Sequence, residues 1–185
     1  MARRENTQSR RGRERALRPG HVLVVCGGQR TEPDYFKGLA RARGARLKVK
    51  SKVDSPENLV RYAAAVFTPD EYEGVWCVVD ADEFDIDTAR VAAARAEVGL
   101  AVSEPCFELW LLLHFADHRA HIANGKAACA LLAKHVPGYA KKLDYPVFDA
   151  GVETAVERAE ALGEGNPATG VWRLVKAVLK PEFKP

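Results

Sequence analysis

Apolar positions along this chain come in short β-branched runs, separated by stretches in which apolar residues recur at helical spacing. The first run, His21-Val-Leu-Val-Val-Cys26, is closed by Gly27-Gly28, and a continuous apolar segment bounded by glycine predicts a strand buried on both faces. Thr31 offers an N-cap, with Pro33 in the first turn and Asp34 three residues on, which predicts a helix to about residue 42. The pattern then repeats. Residues 47–53 alternate as a strand, Ser55-Pro56 opens a helix through Phe67 with Leu59, Tyr62, Ala63 and Val66 on one face, and Gly74-Val-Trp-Cys-Val-Val79 predicts a third strand. Asp87 is placed to cap a helix to about residue 98, residues 100–102 predict a short fourth strand, and residues 106–115 a strongly apolar helix.

Beyond this point no clear strand is expected. Segments 126–134, 152–162 and 171–179 each carry apolar residues at helical spacing, and Gly163 fits a C-cap. Strands alternating with helices imply an α/β fold: a mainly parallel sheet with helices on both faces, followed by a helical C-terminal third. At 185 residues one domain is expected over residues 20–185, large enough to bury a core without disulfide or metal staples.

Composition adds a compartment and an uneven charge. Apolar residues are 47% and charged residues 29% of the chain, as in ordinary globular proteins. No apolar run approaches the ~20 residues of a membrane span. Cys26, Cys77, Cys106 and Cys129 form no paired motif and sit mostly in apolar segments, so reduced thiols and a cytoplasmic location are expected. The first 18 residues hold seven arginines against Glu5 and Glu14 and contain no apolar stretch of a secretory signal; the remainder has 21 basic and 23 acidic residues. Residues 1–19 therefore read as a basic arm, either a solvated leader or a phosphate-binding tail.

The candidate chemistry starts where the third strand stops. Asp80-Ala81-Asp82 delivers two carboxylates on one side of an extended chain, ~6.7 Å apart, at the strand end where ligands bind in open parallel sheets. Oxygen ligands alone favour Mg²⁺ or Mn²⁺ over zinc. The alternative is capping of the next helix, for which Asp85 or Asp87 is better placed. Gly27-Gly28-Gln29-Arg30-Thr31-Glu32 should lie beside that pair. It leads into a helix N-terminus that suits an anion, with Glu32 either compensating the helix dipole or reaching a metal.

Three further groups carry alternatives. Glu108 is the one acid in an apolar helix, and must be paired with an arginine, hydrogen bonded or metal bound; Glu104, on the loop before it, is expected to be exposed. His114, His118 and His121 would share one face of an unbroken helix, a conceivable zinc site. Tyr139, Lys141 and Lys142 combine an aromatic and two cations, suited to a nucleic-acid backbone or to a solvated turn. Asn166-Pro167-Ala168-Thr169 reads as a turn and N-cap.

Taken in order, Val24-Val-Cys26-Gly-Gly-Gln-Arg-Thr31-Glu32-Pro-Asp-Tyr35-Phe36, then Trp76-Cys-Val-Val-Asp80-Ala-Asp82, then Ser103-Glu-Pro105-Cys106-Phe107-Glu108-Leu-Trp110-Leu-Leu-Leu-His114-Phe115, and finally Asn166-Pro167-Ala-Thr169, resemble the RloB-like family. The resemblance covers roughly residues 21–180. It implies a Toprim-like domain, the small α/β fold shared by primases, topoisomerases and overcoming-lysogenization-defect nucleases. It also implies Mg²⁺-dependent (or Mn²⁺-dependent) cleavage of DNA or RNA in abortive-infection or restriction-modification loci, beside an ATPase partner. Asp80 and Asp82 would hold the metal, Glu108 or Glu32 would complete the site or handle the proton, and Arg30, Lys141 and Lys142 would bind the nucleic-acid backbone.

The chain departs from the family pattern at Gly27, where relatives usually carry Glu, and at Glu104, where they usually carry Asn. Loss of a general acid or base costs on the order of 10²–10⁴-fold in rate. Either Glu32 or Glu108 substitutes, or the chain is a degenerate subunit that binds an ATPase or nucleic acid without cutting.

Overall fold

The computed structural model describes residues 20–81, 86–140 and 143–179. The basic arm, Asp82, Asp85, Lys141 and Lys142 lie outside the described residues. Five strands form one sheet: β1 (His21–Cys26), β2 (Leu47–Ser51), β3 (Tyr72–Asp80), β4 (Gly99–Glu104) and β5 (Ala168–Thr169). Their order is β2-β1-β3-β4-β5, parallel except for β5, which runs antiparallel to β4. The expected α/β architecture with a mainly parallel sheet is therefore present, as the Toprim-like resemblance implies.

Helices cover both faces, and the two faces have separate cores. Leu23 and Val25 of β1 and Val75, Cys77 and Val79 of β3 pack on α2 (Pro56–Val66) and α3 (Ile86–Ala96). Val24, Cys26, Val78 and Ala101 point the other way, into a larger core. That core is built by α1 (Thr31–Arg43), α4 (Glu108–Leu113), α5 (Gly125–Ala133), α6 (Pro146–Asp149), α7 (Val152–Leu162) and α8 (Val171–Val178). The apolar runs of β1 and β3 follow from this: strands covered on both sides have no solvent face to make polar.

Local signals set most boundaries. Ser55 Oγ accepts from the Asn58 N–H at 3.4 Å with Pro56 in the first turn of α2, and Asn124 caps α5 by accepting from Ala127 N–H at 3.0 Å. α1 stops where Gly44 takes φ 67° and α7 where Gly163 takes φ 75°, conformations that cost glycine least.

The structure corrects several expectations. α1 begins at Thr31 itself, with Arg30 in the cap position and no capping side-chain bond. β2 ends at Ser51 rather than at 53. Asp87 lies inside the first turn of α3 rather than ahead of it. The apolar helix is only six residues long, Glu108–Leu113, so the three histidines share no helix face: His114 is its buried C-cap and His121 is exposed. Glu104 is half-buried as the last residue of β4. The short β5 was not expected, because two residues carry no readable period; Ser103 and Glu104 of β4 recruit them. Thr169 belongs to this strand, although its hydroxyl still accepts from Val171 N–H at 3.3 Å at the entry to α8.

Among the described residues, no helix is long and apolar enough to cross a membrane.

Candidate functional site

The strand order reverses direction between β1 and β3, since β2 lies outside β1 and β4 lies outside β3. In doubly wound sheets that reversal opens a crevice at the carboxyl ends of the two strands, because the following connections leave in opposite directions. Here it is a cleft of about 490 Å³ lined by Gly28, Arg30, Thr31, Glu32, Asp80, Phe107 and Glu108 among others. The glycine loop and the β3 carboxylate are thus neighbours, as expected, and three acids from three elements face one space.

Asp80 is held from below and from the side. It is the last residue of β3, level with Ser103 of β4, which is in turn level with Thr169 of β5. The Ser103 and Thr169 hydroxyls are buried and 2.8 Å apart, and Ala81 N–H donates to the Ser103 carbonyl at 2.9 Å. Asp80 Oδ1 accepts from the Phe107 backbone N–H at 2.9 Å. The residues of α4 are all buried, so an N–H at its start needs a partner inside the protein. Asp80 provides it. The capping alternative is therefore realised in part, but on α4 rather than on the helix that follows in sequence.

Glu32 reaches the same cleft from α1. It is 7% exposed, and its carboxylate lies over Gly28: a Cβ on residue 28 would collide with both carboxylate oxygens. Glycine at 28 is thus what lets Glu32 fold back across the loop. The Glu32 charge is felt at the Cys26 thiol, whose pKa is raised first by burial and then by that carboxylate. This arrangement counts against a phosphate cradle in the glycine loop, because an acid already occupies the space beside the helix N-terminus.

Gly27 differs. The Cβ position there meets Val78 O at 3.4 Å and the side chains of Leu59 and Val79. These contacts are ordinary, and the two side chains belong to the α2 face rather than to the α1 and α4 face that carries Glu32 and Glu108.

Glu108, 4% exposed at the start of α4, accepts from the Tyr139 hydroxyl at 3.1 Å. Burial first, and then the Glu108 charge, raise the Tyr139 pKa, which keeps the phenol protonated and a donor. The Tyr139–Glu108 bond thus joins the loop after α5 to the start of α4. Tyr139 accordingly turns inward and is not part of a solvent-facing nucleic-acid surface. Its place after Pro137-Gly138 indicated a turn but not the inward aim. Ser103 and Thr169 were not foreseen as support for Asp80; the only signal was a polar residue at an inward position of an otherwise apolar strand.

Behind the cleft, Tyr35 of α1 and His114 at the end of α4 are joined at 3.1 Å between the phenol oxygen and Nε2. His114 Nδ1 lies 2.9 Å from the Trp110 carbonyl. A carbonyl only accepts, so Nδ1 carries the proton and Nε2 accepts from Tyr35. Burial pushes the His114 pKa down to about 4. The histidine is a structural clasp between the helices that carry Glu32 and Glu108.

Among the described residues no group of three acidic, histidine or cysteine side chains converges closely enough to hold a metal ion. Mg²⁺ does not require such a cage, since it keeps several waters and binds through one or two carboxylates. The donor set is all oxygen and fits that ion. Asp80 at the strand end, Glu32, Glu108 and the exposed cation Arg30 all line the cleft.

An open, mostly parallel α/β sheet with an acidic cleft at its switch point defines the class of protein. The family model described as RloB-like protein matches residues 22–178, and the chain belongs to the RloB-like family. No curated protein and no solved structure matches it.

Proposed function

We propose that this chain is a Mg²⁺-dependent nuclease acting on DNA or RNA phosphodiesters within an anti-phage defence system, working beside an ATPase partner. The observation that carries the reading is that Asp80, Glu32 and Glu108 line one cleft at the β1/β3 switch point. Asp80, with Asp82, would hold Mg²⁺ or Mn²⁺. Bound there, the ion would polarise a phosphoryl oxygen and lower the pKa of water. Glu32, aimed into the cleft by Gly28, takes the proton of the attacking water. Glu108, fixed by Tyr139, bounds the cleft on the α4 side, and Arg30, Lys141 and Lys142 hold the phosphate backbone.

The test is cleavage of labelled single- and double-stranded DNA and RNA by purified protein, with and without Mg²⁺ and with the ATPase encoded beside it. Metal-dependent cutting that disappears in Asp80→Asn is expected. No cutting of any substrate under these conditions overturns the reading.

One observation favours a second reading, in which the chain is a degenerate subunit that binds nucleic acid or an ATPase without cutting. The residue that follows β1 is Gly27, so no carboxylate leaves the strand itself. The same assay separates the two, because the degenerate subunit would retain nucleic-acid binding with no Mg²⁺-dependent product.

A further inference from the structure

β2 is the outermost strand of the sheet and pairs with β1 on one side only. Its sequence, Leu47-Lys48-Val49-Lys50-Ser51, alternates, and successive side chains of a strand point to opposite faces. Leu47 and Val49 pack against the larger core. Lys48 and Lys50 turn to the opposite face, in register with Leu23 and Val25.

Lys52 continues the column past the strand end. Its backbone N–H still donates to the Cys26 carbonyl at 3.0 Å. Its Nζ lies 5.4 Å from the Tyr62 ring centroid and 2.8 Å from Asp54 Oδ2. Residues two apart on a strand are ~6.7 Å apart, so the three lysines form a regular row along the edge. Among the described residues neither Lys48 nor Lys50 has an acidic partner. The row ends beside the Cys26–Gly27 step, at the carboxyl end of β1.

Lysines on an edge strand commonly prevent sheets from joining edge to edge. That use needs charge somewhere on the strand. It does not need a column on one face that ends at an aromatic ring, set on a body that is acidic overall outside the arm. A column of cations beside an aromatic is the composition of surfaces that follow one nucleic-acid strand, the cations meeting phosphates and the ring meeting a base.

We propose that Lys48, Lys50 and Lys52 form a track for the phosphate backbone of single-stranded nucleic acid, leading along the sheet edge to the carboxyl rim, with Tyr62 beside its inner end. The track rests on the reading that nucleic acid is the ligand. It does not require that the chain cuts it.

The experiment is fluorescence anisotropy of a labelled unstructured oligonucleotide with the full chain in EDTA, over salt from about 50 to 200 mM. The Lys48→Gln/Lys50→Gln/Lys52→Gln variant should bind about 10- to 100-fold more weakly at ~0.1 M salt. The slope of log affinity against log salt should fall by about 2, since each phosphate contact on a single strand contributes ~0.7. The corresponding triple Lys→Arg variant keeps the charge and should keep the slope. If the triple Gln variant fails to fold, Lys50→Gln alone should lower the slope by ~0.7.

An unchanged slope in the Gln variants overturns the track, and aggregation with an unchanged slope assigns the lysines to edge protection. Polyglutamate binding tighter than the oligonucleotide, and lost in the same variants, overturns it in favour of an acidic protein partner. A changed slope without Mg²⁺-dependent cleavage keeps the track and removes the nuclease reading. Cleavage with an unchanged slope does the reverse.

Discussion

The two strand ends that bound the cleft supply acid in different ways. At β3 the carboxylate belongs to the strand itself, and Asp80 is locked by the Phe107 N–H and by the Ala81–Ser103 bond beside it. At β1 the strand is followed by two glycines, and the carboxylate arrives from the next helix, folded back over Gly28. One acid is placed by backbone pairing and the other by an empty space. The first can lose its charge while it keeps its place, through the bond to Phe107 N–H; the second can be displaced without touching its charge. Mutations that separate charge from placement therefore show which wall carries the chemistry.

The largest effect is expected at Asp80. Asp80→Asn keeps an oxygen to accept from Phe107 N–H but loses the charge, so Mg²⁺-dependent cleavage should fall about 10³-fold or more, several kcal/mol of lost transition-state stabilisation, at nearly unchanged melting temperature. Asp80→Ala should lose the same activity and in addition about 1–2 kcal/mol of stability, because the Phe107 N–H is left buried without its acceptor. Cleavage assays and thermal melts on the pair check this. Equal stability of the two variants would show that the hydrogen bond to α4 contributes nothing.

Next in size is a change that acts on the helices behind both walls. His114 has a folded pKa near 4, lowered by burial, against an ordinary value near 6.5. Between these values the unfolded chain binds the proton more tightly. Stability from neutral His114 is thus complete above about pH 6.5, declines as pH falls, and stops changing below about pH 4, a total of about 3 kcal/mol. Urea unfolding at several pH values should show this loss in the wild type. His114→Gln should flatten it, whatever the mutation costs at pH 7.

Glu32 comes after that. Glu32→Gln should cost about 10²-fold in cleavage, as expected for a general base, with little change in fold. Gly28→Ala leaves Glu32 charged but pushes its carboxylate aside, and a loss of about 10-fold is expected because a displacement of about an ångström is felt at a reacting centre. Gly27→Glu should change the rate by less than about threefold, since a side chain there starts on the α2 face. A large gain of cleavage in Gly27→Glu would break the comparison: β1 would then need its own acid, and Glu32 would not be its replacement.

How much of this was readable from the chain depended on whether a residue's role was local. β1 and β3 were visible because unbroken runs such as Val22 to Cys26 mean burial on both faces, and Asp80 because a charge that ends such a run has nowhere to go but the strand end. The Asp80 bond to Phe107 spans 27 positions and the Ser103 to Thr169 contact spans 66, and no period reports such distances. The segment 106–115 reads as one helix because it is strongly apolar throughout; residues 106–114 are all buried and Phe115 half-buried, and burial on all sides hides where the backbone stops turning. His114 likewise took its meaning from Tyr35, 79 positions earlier, and not from His118 or His121.

The smallest effect, and the finest test of the comparison, is Tyr139→Phe. The phenol ties the loop after α5 to the α4 wall of the cleft, donating to Glu108 at the start of that helix. Removing one hydroxyl should cost about 1 kcal/mol of stability. If Tyr139 only holds the fold, activity at saturating metal will follow stability. If it positions Glu108 for the chemistry, the carboxylate loses the donor that fixes it, and cleavage should fall by about 10-fold more than the stability loss explains, because a displacement of about an ångström is felt at a reacting centre. Full cleavage by a folded Tyr139→Phe protein would place Glu108 outside the chemistry, leaving the cleft with Asp80 and Glu32.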